Sequence, residues 1–122
     1  MASTKTRTAI WTGESFVAGS AHADSSVVDL ADGYGAALNI KITNGATGPT
    51  LPLALQIMIS NDNSVWYAFG SPLFGNMENN GVVSWAGIVI PIGAKYLKIV
   101  SYQTNTAQNV TVDADISEVT AL

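Results

Sequence analysis

An all-β fold is what this sequence predicts: an antiparallel β-sandwich, jelly-roll-like, of about eight strands. Apolar residues recur at every second position in several segments, the period of a strand with one buried face. Turn-forming residues punctuate those segments at short spacing: "TGES" at 12–15, "ADGYG" at 31–35, "NGATGPT" at 44–50, "SNDN" at 60–63, "NMENNG" at 76–81, "PIGAK" at 91–95 and "QTNTAQ" at 103–108. No apolar pattern of helical period persists for three turns.

Taken in order, "MASTKTRT" (1–8) is small, polar and basic, and reads as a flexible N-terminal arm, leaving 9–122 as a single β-sandwich domain. "ALNIKIT" places Leu38, Ile40 and Ile42 on one face and Asn39, Lys41 and Thr43 on the other. "LALQIMI" groups Leu53, Leu55, Ile57 and Ile59 opposite Ala54, Gln56 and Met58. "SNDN" is a hairpin loop, because Asn61, Asp62 and Asn63 tolerate the backbone angles of a tight connection. After it, Trp66 is expected in the core, with Tyr67 and Phe69 on the opposite face as a subunit contact. "GVVSWAGIVIPIGA" (81–94) is too short to cross a bilayer as a helix and reads as a buried strand. "KYLKIVSY" alternates Leu97 and Ile99 with Tyr96, Lys98 and Val100 without showing which face is inward. "NVTVDADIS" turns Val110, Val112, Ala114 and Ile116 in and Thr111, Asp113, Asp115 and Ser117 out.

Composition narrows the function. The 122 residues are 48% hydrophobic but only 11% charged, against about 25% charged in an ordinary soluble domain. So few charges leave part of the surface to be covered by other subunits. A net charge of −4 and five scattered basic residues argue against a nucleic-acid face, which needs clustered Lys and Arg. No segment has the form of an export signal or a membrane span. There is no cysteine, hence neither a disulfide framework nor a cysteine-based metal site.

No catalytic constellation emerges. His22 is the only histidine, sits among alanines and reads as an exposed loop residue. Asp113 and Asp115 share a strand face and read as a solvated strip rather than an acid/base couple. Asp24, Asp29 and Asp32 are hard oxygen donors, but their spacing fits no known calcium loop. "GYGAAL" lacks the third glycine and the helix of a dinucleotide fingerprint. "NVT" at 109–111 has the form of a glycosylation sequon. No enzyme activity, cofactor or metal is expected. The candidate contact residues are Met58, Tyr67 and Phe69, together with Lys5 and Arg7 of the arm.

Residues 27–73 and 81–119 together resemble a family of small tailed-bacteriophage virion proteins. The resemblance rests on a "GY" before a strand (Gly33, Tyr34), the "NG-x-TGPT" turn, the "S-x-D-x-S-x-W" hairpin from Ser60 to Trp66 and "KYLK" at 95–98. The hairpin, "AKYLKIV" and "DADISEV" are also similar to the carbohydrate-binding discoidin-type jelly roll. The resemblance implies a non-enzymatic virion protein, made in the host cytoplasm. Its most fitting role is a capsid decoration or cement protein, a homotrimer contacting the major capsid protein. A tail, neck or fibre component is the second virion option, and a glycan-binding jelly-roll module is the option from another class.

Overall fold

The computed structural model describes residues 4–17, 22–30, 33–103 and 108–121, and the described chain is all β. Nine strands form it: β1 (Thr4–Phe16), β2 (Val28–Asp29), β3 (Ala36–Asn44), β4 (Ala54–Ser60), β5 (Tyr67–Ala68), β6 (Leu73–Phe74), β7 (Val82–Ile90), β8 (Tyr96–Gln103) and β9 (Val110–Ala121). They make two antiparallel sheets. The first, sheet A, runs β1-β9-β3-β7. The second, sheet B, runs β2-β8-β4-β5, with β6 also paired to β4.

The alternating segments supply the filling between the sheets. Leu38, Ile40 and Ile42 of β3 and Val110, Val112, Ala114 and Ile116 of β9 are buried from one side. Leu55 and Ile57 of β4, with Leu53 just before it, meet them from the other, with Leu97 and Ile99 of β8, which fixes the inward face of that strand. Each fully buried Leu or Ile contributes about 1.5–3 kcal/mol. β3 and β9 pair without a register shift from Ala36↔Glu118 to Asn44↔Val110, so the outward residues also fall into line: Asn39 opposite Asp115, Lys41 opposite Asp113.

Four expectations are corrected. Residues 4–8 are strand, not arm: Lys5 pairs with Val119 and Arg7 with Ser117. Backbone pairing to the long β9 orders them despite their polarity, and Thr4, Thr6 and Thr8 are β-branched residues suited to it; residues 1–3 lie outside the described chain. "TGES" is not a turn but part of β1, where Gly13 (φ 56°) sits in a bulge. β4 is buried on both faces, because the backbone at Phe69 and Gly70 closes over Gln56, whose amide donates to both carbonyls. The run 81–94 is not a buried strand. Its strand, β7, is the outer edge of sheet A, and only Ile90 of its nine residues is fully buried.

A single glycine fixes how two loops meet. A side chain on Gly48 would collide with the carbonyl oxygen of Met77, so only glycine lets loop 45–50 lie against loop 75–81. Buried Asn44 ties the same place together, its amide donating to Asn76 and to the Glu78 carbonyl.

Candidate functional site

The expected contact residues do not come together. Met58 and Tyr67 belong to sheet B, with Phe69 just past β5, and Lys5 and Arg7 belong to sheet A. Their facing also departs from expectation. Tyr67 pairs with Ile59 and Ala68 with Met58, so Tyr67 and Phe69 share the face of Ile57 and Ile59. Phe69 packs against the core, while Tyr67, at the sheet edge, is 64% exposed. Trp66 is therefore on the outer side, half-buried, with the Lys98 ammonium 4.6 Å from its ring centre and the Asp24 carboxylate 3.3 Å from that ammonium. The core tryptophan is Trp11 instead. A shift of one residue inverts every facing in a strand, and a two-residue β5 gives no alternation from which to read the phase.

The loop before it is closed by its own side chains. The Asp62 carboxylate accepts from the Ser64 and Val65 amides, each at 2.9 Å, and the Ser60 hydroxyl accepts from the Asp62 and Asn63 amides. Those amide bonds, with the Ser60 hydroxyl, hold the Asp62 carboxyl below its ordinary range. Asn63 takes φ 59°, a conformation asparagine tolerates.

Polar groups do converge elsewhere, on the outer face of sheet A. One Asp115 oxygen accepts from the Asn39 amide at 2.9 Å, and the other accepts from Arg7 Nε at 2.7 Å. The Asn39 bond foremost, then Arg7, hold the Asp115 carboxyl below its ordinary range against some desolvation. Asn39 in turn accepts from the Gly87 amide at 2.8 Å, and Asp113 accepts from the Gly13 amide at 2.7 Å. Gly13 and Gly87 are the two bulged glycines of the edge strands, with φ of 56° and 69°. The row of outward side chains therefore pins a bulge on each edge. With Lys41 and Ser84, the Arg7, Asn39, Asp113 and Asp115 side chains line a shallow groove of about 240 Å³. Trp11 and Trp85 also border it, but Trp11 lies in the core and Trp85 packs against it. The groove thus offers a ligand both polar groups and apolar carbon.

Beside the groove the same face turns apolar. Tyr34, Ala37, Val89, Ile92 and Val119, rimmed by Lys5, line a hollow of about 600 Å³. Val89 and Ile92 are 74% and 67% exposed.

The remaining sequence candidates, where they are described, have structural partners. His22 is not an exposed loop residue: its ring stacks 3.8 Å from Phe16, meets Trp11 edge-on and lies 3.1 Å from Glu14. The small side chains beside it in the sequence hid this, because the aromatic partners come from β1. Asp24 pairs with Lys98, and Asp29 lies in β2, whereas Asp32 falls outside the described residues. Among the described residues no three metal-ligating side chains come together.

Sequence reasoning found Arg7, Asp113 and Asp115 but not their assembly with Asn39, Lys41 and Ser84. Outward facing was legible for most of them. The pairing of Asn39 with Asp115, 76 residues on, was not.

No family model matches the chain, and neither does any curated protein. Among solved structures it is similar to the SPBc2 prophage-derived protein YomS, at a TM-score of 0.53 and 12% identity over 96% of both chains. It is also similar to a chain of infectious bursal disease virus, Gx strain, at 0.48 and 10%, over 96% of this chain and 29% of that one. A third is the C-terminal family 22 carbohydrate binding module of Clostridium thermocellum Xyn10B, at 0.44 and 12%, over 93% and 85%. At these identities the likeness to YomS shows a shared β-sandwich fold.

Proposed function

We propose that this chain is a non-enzymatic structural component of a bacteriophage particle, a head decoration or cement protein that works by repeated protein–protein contacts. The observation that carries the reading is the apolar end of sheet A, where Tyr34, Val89 and Ile92 stand exposed around one hollow. A surface with so few charges and such a patch is suited to burial against other subunits. The His22, Asp62, Asp113 and Asp115 side chains are each engaged in holding the fold, which fits a role without chemistry. The prophage origin of YomS, alike in fold over nearly its whole length, supports a phage setting. Many weak copies on a symmetric shell gain an avidity that no single contact provides. Gold-labelled antibody against this chain, applied to particles of the phage that encodes it, should decorate the head at many equivalent positions. Label confined to the tail would assign it to tail, neck or fibre, and none on particles would overturn the reading.

A second reading, a glycan-binding module, is favoured by the groove at Arg7, Asn39, Lys41, Asp113 and Asp115. Saturable binding on a glycan array that is lost in Arg7→Ala would establish it.

A further inference from the structure

Strand β7 is an edge without charge. It ends sheet A beyond β3, and no charged residue occurs between Glu78 and Lys95. Open edges present a row of free backbone groups that can template pairing with another chain, and proteins blunt them with charge, proline or bulges. The opposite edge, β1, carries Lys5, Arg7 and Glu14. β7 carries only its bulge at Gly87. Two of its apolar side chains are turned out as well, Val82 at one end and Val89 at the other, while Trp85, Ile88 and Ile90 face the core.

We propose that β7 pairs antiparallel with β7 of a second copy of this chain, about a twofold axis near Ala86 and Gly87, the middle of the strand. The two four-stranded sheets then join into one of eight. This rests on the reading of the chain as an assembling protein. An antiparallel edge is self-complementary, since its donors and acceptors match their own copies after a half turn. Charge selects the occupant. Copies of net charge −4 repel at long range, and β7 lets them meet with no like charges opposite one another. A charged partner would find no countercharge there. Size agrees too: nine residues at about 3.3 Å each make an edge about 30 Å long. A strip of that length with its side chains is on the order of 600 Å², close to the ~800 Å² that a stable interface takes from each partner. The bulge does not prevent pairing, because Asn39 already satisfies the Gly87 amide.

The absence of cysteine makes the test direct. Under mild oxidation Ala86→Cys should form a disulfide-linked dimer, and a mixture of Ser84→Cys with Val89→Cys a mixed one. Thr8→Cys on the β1 edge should give no disulfide-linked dimer. Light scattering should give twice the chain mass for the wild type, and Val89→Lys should weaken association about tenfold or more without changing the circular dichroism. A monomer at about 10 µM, where a specific micromolar complex would form, overturns the pairing. So does a trimer or cross-linking at Thr8. If those results accompany a decorated head, the particle reading stands and only the pairing falls. If β7 cross-links but the chain is missing from particles, the pairing stands and the particle reading falls.

Discussion

Arg7 and Asp115, 108 residues apart in the chain, meet at 2.7 Å across the β1–β9 pair. Asn39 holds the other oxygen of the same carboxylate, so one side chain ties three adjacent strands together. The Asp115 carboxyl is depressed in the folded protein, so its contribution is present above the unfolded value of about 3.9 and is lost as pH falls through the lower folded value. Asp115→Ala should cost about 1 kcal/mol at neutral pH, the charged hydrogen bonds being weakened by solvent at a side chain still 23% exposed. Urea melts at neutral pH and near pH 2 (below the usual carboxylate range) should show the gap between variant and wild type closing in acid.

Phe69→Ala should destabilise more than Trp66→Ala. Phe69 packs on the core, and its truncation should cost about 2–3 kcal/mol, below the ~3–5 kcal/mol of a fully buried aromatic. Trp66 loses chiefly its contact with Lys98, about 0.5–1 kcal/mol. Chemical denaturation of both variants gives the order directly, and the reverse order would place Trp66 inward.

In the 60–65 loop, Asn63→Gly should leave the melting temperature unchanged, since glycine adopts the same positive φ. Asp62→Gly should lower it, because the bonds to the Ser64 and Val65 amides go with the carboxylate. Calcium titrated against the wild type should give no saturable signal, the Asp62 carboxylate being spent on its own loop.

Deleting residues 2–8 should destabilise the isolated protein. The cut removes Thr4–Thr8 from their pairing with β9 and takes Arg7 from Asp115. A melting temperature equal to that of the full chain would mean that this end of β1 frays freely.

How much of this could be read in advance depended on strand length. β3 and β9 alternate over nine and twelve residues, enough to fix the faces of Ile40, Val112 and Asp115 correctly. β5 has two residues, and the facing of Trp66 and Tyr67 was read inverted. Hydrophobicity alone suggested a buried 81–94, because an apolar edge strand and a central strand share that signature until pairing is known. Polarity suggested an arm at 1–8, although backbone pairing orders Thr4–Thr8 without any apolar side chain. The groove depended on partners from four strands, among them Arg7, Asn39, Ser84 and Asp115, and their meeting is a property of strand order.

β9 lies between β1 and β3 in sheet A, yet it is the last of the nine strands to be synthesised. While Val110–Ala121 is still being made, β1 has no neighbour in its sheet, and β3 is paired on one side only. Until Val110–Ala121 has emerged, half of the sandwich cannot close, and the contacts that close it join strands far apart in the sequence. Folding should be slow, and a product truncated before Val110 should be soft prey for proteases. The middle of this protein's sheet arrives last.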